Sequence, residues 1–155
     1  MLRRTLATAA DTEAFGADLA ADLAAGDLVI LDGPLGAGKT VLARGIARGL
    51  GAQGPVTSPT YVIARVHAAG GGRPDGGAPA TMVHVDAYRL GDGPAALDEL
   101  DALDLDTDLD DSVVVVEWGA GLAERLADHH VLVRLRRDPD TDARVVEWER
   151  RTGSA

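Results

Sequence analysis

Leu28-Val29-Ile30-Leu31-Asp32-Gly33-Pro34-Leu35-Gly36-Ala37-Gly38-Lys39-Thr40-Val41-Leu42 decides how the chain is read. Leu28 to Leu31 is a continuous apolar run, the pattern of a strand buried on both faces. Gly33 to Thr40 then spells G-x-x-x-x-G-K-[ST]. From Thr40 to Leu50 apolar residues recur at helical spacing (Val41, Leu42, Ile46, Leu50), with Arg44 and Arg48 on the other side. Strand, glycine-rich turn and helix are what phosphate binding needs. Glycines let successive backbone N–H groups curl around phosphate oxygens, and a helix N-terminus adds N–H groups and a positive dipole end. In such a loop Lys39 reaches the β- and γ-phosphates of ATP, and the Thr40 hydroxyl ligates Mg2+, a cation that selects oxygen. The nucleotide-binding set read from this stretch is Gly33, Leu35, Gly36, Ala37, Gly38, Lys39, Thr40 and Val41.

A phosphate loop also needs an acid at the end of a neighbouring strand to hold the metal or its water. Glu117 follows Val113-Val114-Val115-Val116, and Asp86 follows Met82-Val83-His84-Val85. A carboxylate just after a buried parallel strand sits at the carboxyl edge of the sheet, where open α/β folds bind ligands. Glu117 and Asp86 are therefore the candidate metal ligands beside Thr40, and with Lys39 they form the candidate catalytic set. His84 shares a strand face with Asp86 and reads as a core or supporting residue. His129 and His130 read as surface residues. Trp118 is either a core anchor or a residue packed under the site.

Further out, Leu2 to Leu6 reads as a short edge strand and Asp11 to Ala25 as a helix, with Phe15, Leu19 and Leu23 on one face. Tyr61 to His67 and Thr81 to Tyr88 read as an antiparallel hairpin. The Gly/Pro/Ala segment Ala68 to Ala80 between them is expected to be mobile. Ala95 to Leu103 and Ala120 to Ala127 read as helices. The acidic stretch Asp98 to Asp111 reads as a solvated face. Val131 to Arg136 and Arg144 to Trp148 read as a last hairpin, turned by Asp138-Pro139-Asp140.

The 155 residues fit a single domain, 1–155, and 46% hydrophobic residues support a packed core. Aromatics are only 3%, so Val, Leu, Ile and Ala must build it. The absence of cysteine excludes disulfides, thiolate metal sites and a Cys nucleophile. No apolar run approaches the roughly 20 residues of a membrane span, and the N-terminus lacks a secretory apolar stretch, so a cytoplasmic location and no membrane partner are expected. A net charge of −10 argues against a free-standing nucleic-acid binder, DNA included. Lys39 is the one lysine among 15 basic residues; every other is Arg. A compact ammonium fits a phosphate loop where a wide guanidinium fork does not.

Four blocks in order resemble the bacterial TsaE (YjeE) family over nearly the whole chain. They are Leu35-Gly36-Ala37-Gly38-Lys39-Thr40, Ser58-Pro59-Thr60-Tyr61, His84-Val85-Asp86-Ala87-Tyr88-Arg89-Leu90, and Val116-Glu117-Trp118. The resemblance implies a three-layer α/β P-loop NTPase fold with a mixed parallel/antiparallel sheet. It implies a slow Mg2+-dependent ATPase that assists a TsaD–TsaB complex in forming threonylcarbamoyladenosine in tRNA, with tRNA met indirectly through the complex. Lys39 and Thr40 then bind phosphates and Mg2+, and Glu117 resembles the metal-side acid. Asp86 resembles a second functional carboxylate, and Ser58 to Tyr61, with Thr60 on the nucleotide, a switch-like segment. Adenine is expected near Thr8 to Thr12 and the Arg137 to Asp142 turn. Pro34 departs from the family, which commonly has Asp there, and Gly119 stands where Pro is frequent.

Two rival readings use the same loop. A small-molecule kinase needs a lid, usually with arginines, and the longest loop carries only Arg73. A non-catalytic nucleotide switch for partner docking needs no hydrolysis. A GTPase is excluded, because its Asn-Lys-x-Asp motif needs an asparagine and a second lysine that the chain lacks.

Overall fold

The computed structural model describes residues 2–34, 36–53, 64–74, 76–86, 111–117, 127 and 129–152. In chain order these form β1 (Leu2–Leu6), α1 (Ala9–Ala20), β2 (Leu28–Asp32), α2 (Lys39–Leu50), β3 (Ala64–His67), β4 (Thr81–Asp86), β5 (Ser112–Glu117), β6 (His129–Arg137) and β7 (Arg144–Thr152). The strands make one seven-stranded sheet in the order β1-β7-β6-β2-β5-β4-β3. β2 pairs parallel with β5 and β6, and β4 pairs parallel with β5. The hairpins β3–β4 and β6–β7 are antiparallel, as is the β1–β7 edge. The fold is α/β with a mixed sheet, as the sequence implies.

The apolar runs explain why β2 and β5 lie at the centre. Val29, Leu31, Val113 and Val115 face the core formed with α1 and α2. Leu28, Ile30, Val114 and Val116 point the other way and are also at most 1% exposed. The central strands are thus covered on both faces, which only an unbroken run of apolar residues tolerates. Each Val, Leu or Ile so buried contributes roughly 1.5–3 kcal/mol.

α1 and α2 lie against each other through glycines. A Cβ on Gly16 would come within 2.4 Å of Leu42 O, and one on Gly45 within 2.0 Å of Glu13 O. The bare backbones set the closeness of the two helices. At the outer end, the Phe15 and Trp148 rings meet edge to face with centroids 4.7 Å apart. The Arg4 guanidinium lies 5.3 Å from the Phe15 centroid and ties β1 to both rings.

Several boundaries and one surface assignment differ from the sequence reading. α1 starts at Ala9, because Thr8 caps it: Asp11 N donates to Thr8 Oγ1 at 3.1 Å, and Thr8 N donates to Asp11 Oδ2 at 3.1 Å. It ends at Ala20 rather than Ala25, although Leu23 stays buried at 2% exposure. β6 and β7 both run longer than expected. His130 is buried, not on the surface, while His129 is exposed as expected.

The Gly/Pro/Ala segment after β3 is tied down rather than loose. Gln53 N donates to Ala68 O at 2.7 Å, Gly70 N to Gly51 O at 2.6 Å, and Ala80 N to Leu50 O at 2.9 Å. Arg73 bonds Ala78 O at 2.8 Å and Ala20 O at 3.1 Å, at the end of α1. The expected helices at 95–103 and 120–127, most of the acidic stretch, the ends of the β3 and β4 expectations (61–63 and 87–88), Leu35, Ser58 to Tyr61 and Trp118 lie outside the described residues, apart from Ala127 and Asp111.

Candidate functional site

β2 delivers the chain to the carboxyl edge of the parallel strands and then turns sharply. A Cβ on Gly33 would lie 2.2 Å from Leu135 O, so the loop leaves the sheet pressed onto β6. Gly36 and Gly38 have φ of 79° and 104°, in the left-handed region that favours glycine. Gly38 caps α2 without any side-chain bond, and its carbonyl accepts from Leu42 N at 3.0 Å. The amides of the first turn therefore precede the helix's own bonding pattern. Lys39 is buried at 6% exposure, and its Nζ reaches back to Gly33 O at 2.5 Å and Pro34 O at 3.0 Å. Pro34 donates nothing, but its carbonyl also accepts from Ala37 N at 3.1 Å. The residue that departs from the family pattern is thus built into the turn.

Register brings the acids alongside. Leu31, two residues before Gly33, pairs with Glu117, and Glu117 pairs with Asp86. Both acids thus sit at strand ends, Glu117 on the strand next to the loop-bearing one and Asp86 one strand further out. Glu117 is 5% exposed and accepts a hydrogen bond from Nε2 of the fully buried His84 at 2.5 Å. The assignment of His84 as a core or supporting residue is thereby met.

An arginine that sequence reasoning missed braces the loop from outside. Arg144, the first residue of β7, donates through Nε to Ala37 O at 3.0 Å and through Nη2 to Gly36 O at 3.3 Å. Its Nη1 holds Asp142 O at 2.6 Å. The contact spans 107 residues of chain, so no local spacing announces it. Arg144 also borders a cavity of about 570 Å³. It is lined by Ala7, Thr8, Ala9 and Thr12 at the start of α1, by Gly38 and Val41 at the start of α2, and by Asp142 and Arg144. The cavity lies between the start of α1 and the turn before β7.

Of the sequence-predicted site residues, Gly33, Gly36, Ala37, Gly38, Lys39, Thr40 and Val41 come together in one turn and the start of one helix, with Glu117 on the adjacent rung. Asp86 joins them by backbone register. Thr40 and Glu117 offer a hydroxyl and a carboxylate, the oxygen donors a small hard cation takes. Among the described residues no three His, Asp or Glu side chains cluster as a closed metal cage.

A glycine-rich turn from a central parallel strand into a helix, with acids at the ends of adjoining strands, defines a P-loop NTPase-type α/β protein. The crystal structure of Bacillus subtilis YdiB has the same fold: TM-score 0.69 and 28% identity over 95% of this chain and 83% of that one. The family model described as threonylcarbamoyl adenosine biosynthesis protein TsaE matches residues 6–146. The tRNA threonylcarbamoyladenosine biosynthesis protein TsaE of Mycobacterium tuberculosis is 56% identical over 93% of this chain and 84% of its own length. Its Streptomyces coelicolor counterpart is 55% identical over 79% and 76%. The chain belongs to the TsaE family of threonylcarbamoyl adenosine biosynthesis proteins. Among the described residues, no helix is long and apolar enough to cross a membrane.

Proposed function

We propose that the chain binds ATP with Mg2+ in the Gly33–Thr40 loop, hydrolyses it slowly, and so assists a TsaD–TsaB complex in tRNA threonylcarbamoyladenosine formation. The observation that carries this reading is the loop itself: two glycines in left-handed conformation, Lys39 folded over the turn, and Glu117 on the next rung. Mg2+, when bound, would supply neutralisation of the phosphate charge. The amides of Gly36 to Val41 bind phosphate oxygens, and Lys39 exchanges its contacts with Gly33 O and Pro34 O for phosphate. Thr40 and Glu117, with Asp86 as the second carboxylate, would hold the metal. Leu35 and Thr60 complete the nucleotide set.

The cavity between α1 and the β6–β7 turn takes the adenine. Its lining includes Ala7, Ala9 and Val41, apolar surface of the kind a base stacks on, together with Thr8 and Thr12. The kinase alternative loses support, because Arg73 is engaged with Ala20 O and Ala78 O. A calorimetric titration with ATP, with and without Mg2+, tests the core of the reading; no binding in either condition sinks it. A pull-down with TsaD and TsaB, with and without ATP, tests the partner assignment.

A further inference from the structure

Five of the six β4 residues are described to their side chains, and His84 is among the most buried of them at 0% exposure. A ring so placed needs a partner. Its Nε2 donates to Glu117 Oε2 at 2.5 Å, while Nδ1 has no hydrogen bond among the described residues. The polarity of this buried ring is therefore directed at the acid that ends β5. His67, buried at 3% on the neighbouring strand, backs it with ring centroids 6.5 Å apart and tilted by 37°. His84 is thus held by packing from behind and by a carboxylate in front.

We infer that His84 is a positioning residue that fixes the Glu117 side chain in one rotamer. With Oε2 held, Oε1 is the oxygen that turns to the cation. Glutamate has three rotatable torsions, and locking them before the cation arrives removes that ordering cost from binding. Partners behind a metal ligand typically change metal affinity about 10–100-fold when lost. The inference rests on the reading of Glu117 as the metal-side acid and adds to it the group that aims it.

The test compares His84→Leu, which removes the donor, with His84→Gln, whose amide still reaches a carboxylate. Each is made in the parent and in a Glu117→Gln background. ATP affinity is measured by calorimetry across a Mg2+ series and in EDTA. His84→Leu is expected to raise the Mg2+ concentration for half-maximal tightening about 10–100-fold while leaving the EDTA affinity unchanged. His84→Gln should recover most of the shift, and neither change should matter once Glu117 is Gln. A folded His84→Leu protein with the parent's Mg2+ requirement, or with equal loss in EDTA, overturns the inference. Should His84→Leu not fold, His84→Asn replaces it, drawing the amide back from the carboxylate, and the same shift is required of it. A parent protein whose ATP binding ignores Mg2+ overturns the reading of Glu117, and the inference falls with it. Mg2+ response in the parent with no change in the His84 variants overturns the inference alone.

Discussion

Asp86 and Glu117 are register partners on the last rung shared by β4 and β5. On the other side of β5, Glu117 pairs with Leu31, so three parallel strands end level beside the turn at Gly33. The alignment follows from strand length. β4 and β5 are each six residues and begin together, at Thr81 and Ser112. Two acids that are separate in sequence therefore reach one sheet edge through hydrogen-bond register.

Glu117 has two separable roles, as acceptor for His84 and as proposed metal ligand. Glu117→Ala leaves the buried His84 donor without its partner and should lower stability by about 1–3 kcal/mol. Glu117→Gln keeps an acceptor oxygen and should unfold near the parent's denaturant midpoint. Both should lower Mg2+-dependent hydrolysis by about 100-fold or more while sparing ATP affinity in EDTA. Equal losses of affinity and turnover would assign Glu117 a structural role only. Loss of turnover with intact partner-dependent tRNA modification would favour the switch reading.

Lys39→Ala should weaken ATP binding by about 100-fold, two decades at ~1.4 kcal/mol each, because charge-assisted bonds to phosphate contribute about 1.5–3 kcal/mol apiece. The helix should persist, since Ala is the better helix former. Calorimetry with ATP and circular dichroism on the same sample check both halves. Unchanged affinity would show that the loop does not grip the triphosphate through its ammonium.

The parts of this fold legible in the sequence are those whose physics is local. Leu28 to Leu31 and Val113 to Val116 announce central strands because burial on both faces demands unbroken apolar runs. The Gly33–Thr40 turn is legible because left-handed backbone at Gly36 and Gly38 favours glycine. The start of α1 is set by Thr8 and Asp11 at capping spacing, a signal that the apolar face from Phe15 onward does not carry. Its end is not legible, because Leu23 stays buried after the helix has stopped, and burial mimics helical periodicity. His130 was misplaced because a lone polar residue carries no periodic signal of its own. The docked Ala68 to Ala80 segment has a flexible composition, and contacts with residues distant in sequence, Ala20, Leu50, Gly51 and Gln53, fix it. Arg144 on Gly36 and Ala37 is a contact between chain ends, for which a single sequence holds no rule.

The helix pair should reject a methyl group where propensity favours one. In an exposed helix Gly→Ala gains about 1 kcal/mol, but a Cβ at Gly45 would stand 2.0 Å from the backbone oxygen of Glu13. Backbone has no rotamer to escape into, so α1 and α2 must part. Gly45→Ala should cost about 1–3 kcal/mol, lowering Tm by about 2–4 °C per kcal/mol in a domain of this size. A thermal melt showing a stabilised variant would contradict the packing. Nucleotide affinity should fall as well, because α2 carries Lys39 and Thr40.

Arg144 should act on the phosphate cradle rather than on the base alone. Its bonds to Ala37 O and Gly36 O turn two loop carbonyls outward, and a peptide whose carbonyl points out presents the following amide inward. Arg144→Met keeps most of the stem but loses the fork, leaving those carbonyls to water and the loop freer to reorient. ATP affinity should drop about tenfold, ~1.4 kcal/mol, just under the about 1.5–3 kcal/mol of one hydrogen bond to a charged group. Tripolyphosphate separates the two causes, since it has phosphates and no base. If the brace works through the loop, tripolyphosphate and ATP weaken by the same factor. If Arg144 only borders the cavity, tripolyphosphate binds the variant as it binds the parent. Arg144→Lys should behave like the Met variant, because a single ammonium cannot hold Ala37 O, Gly36 O and Asp142 O in the geometry that a planar fork spans.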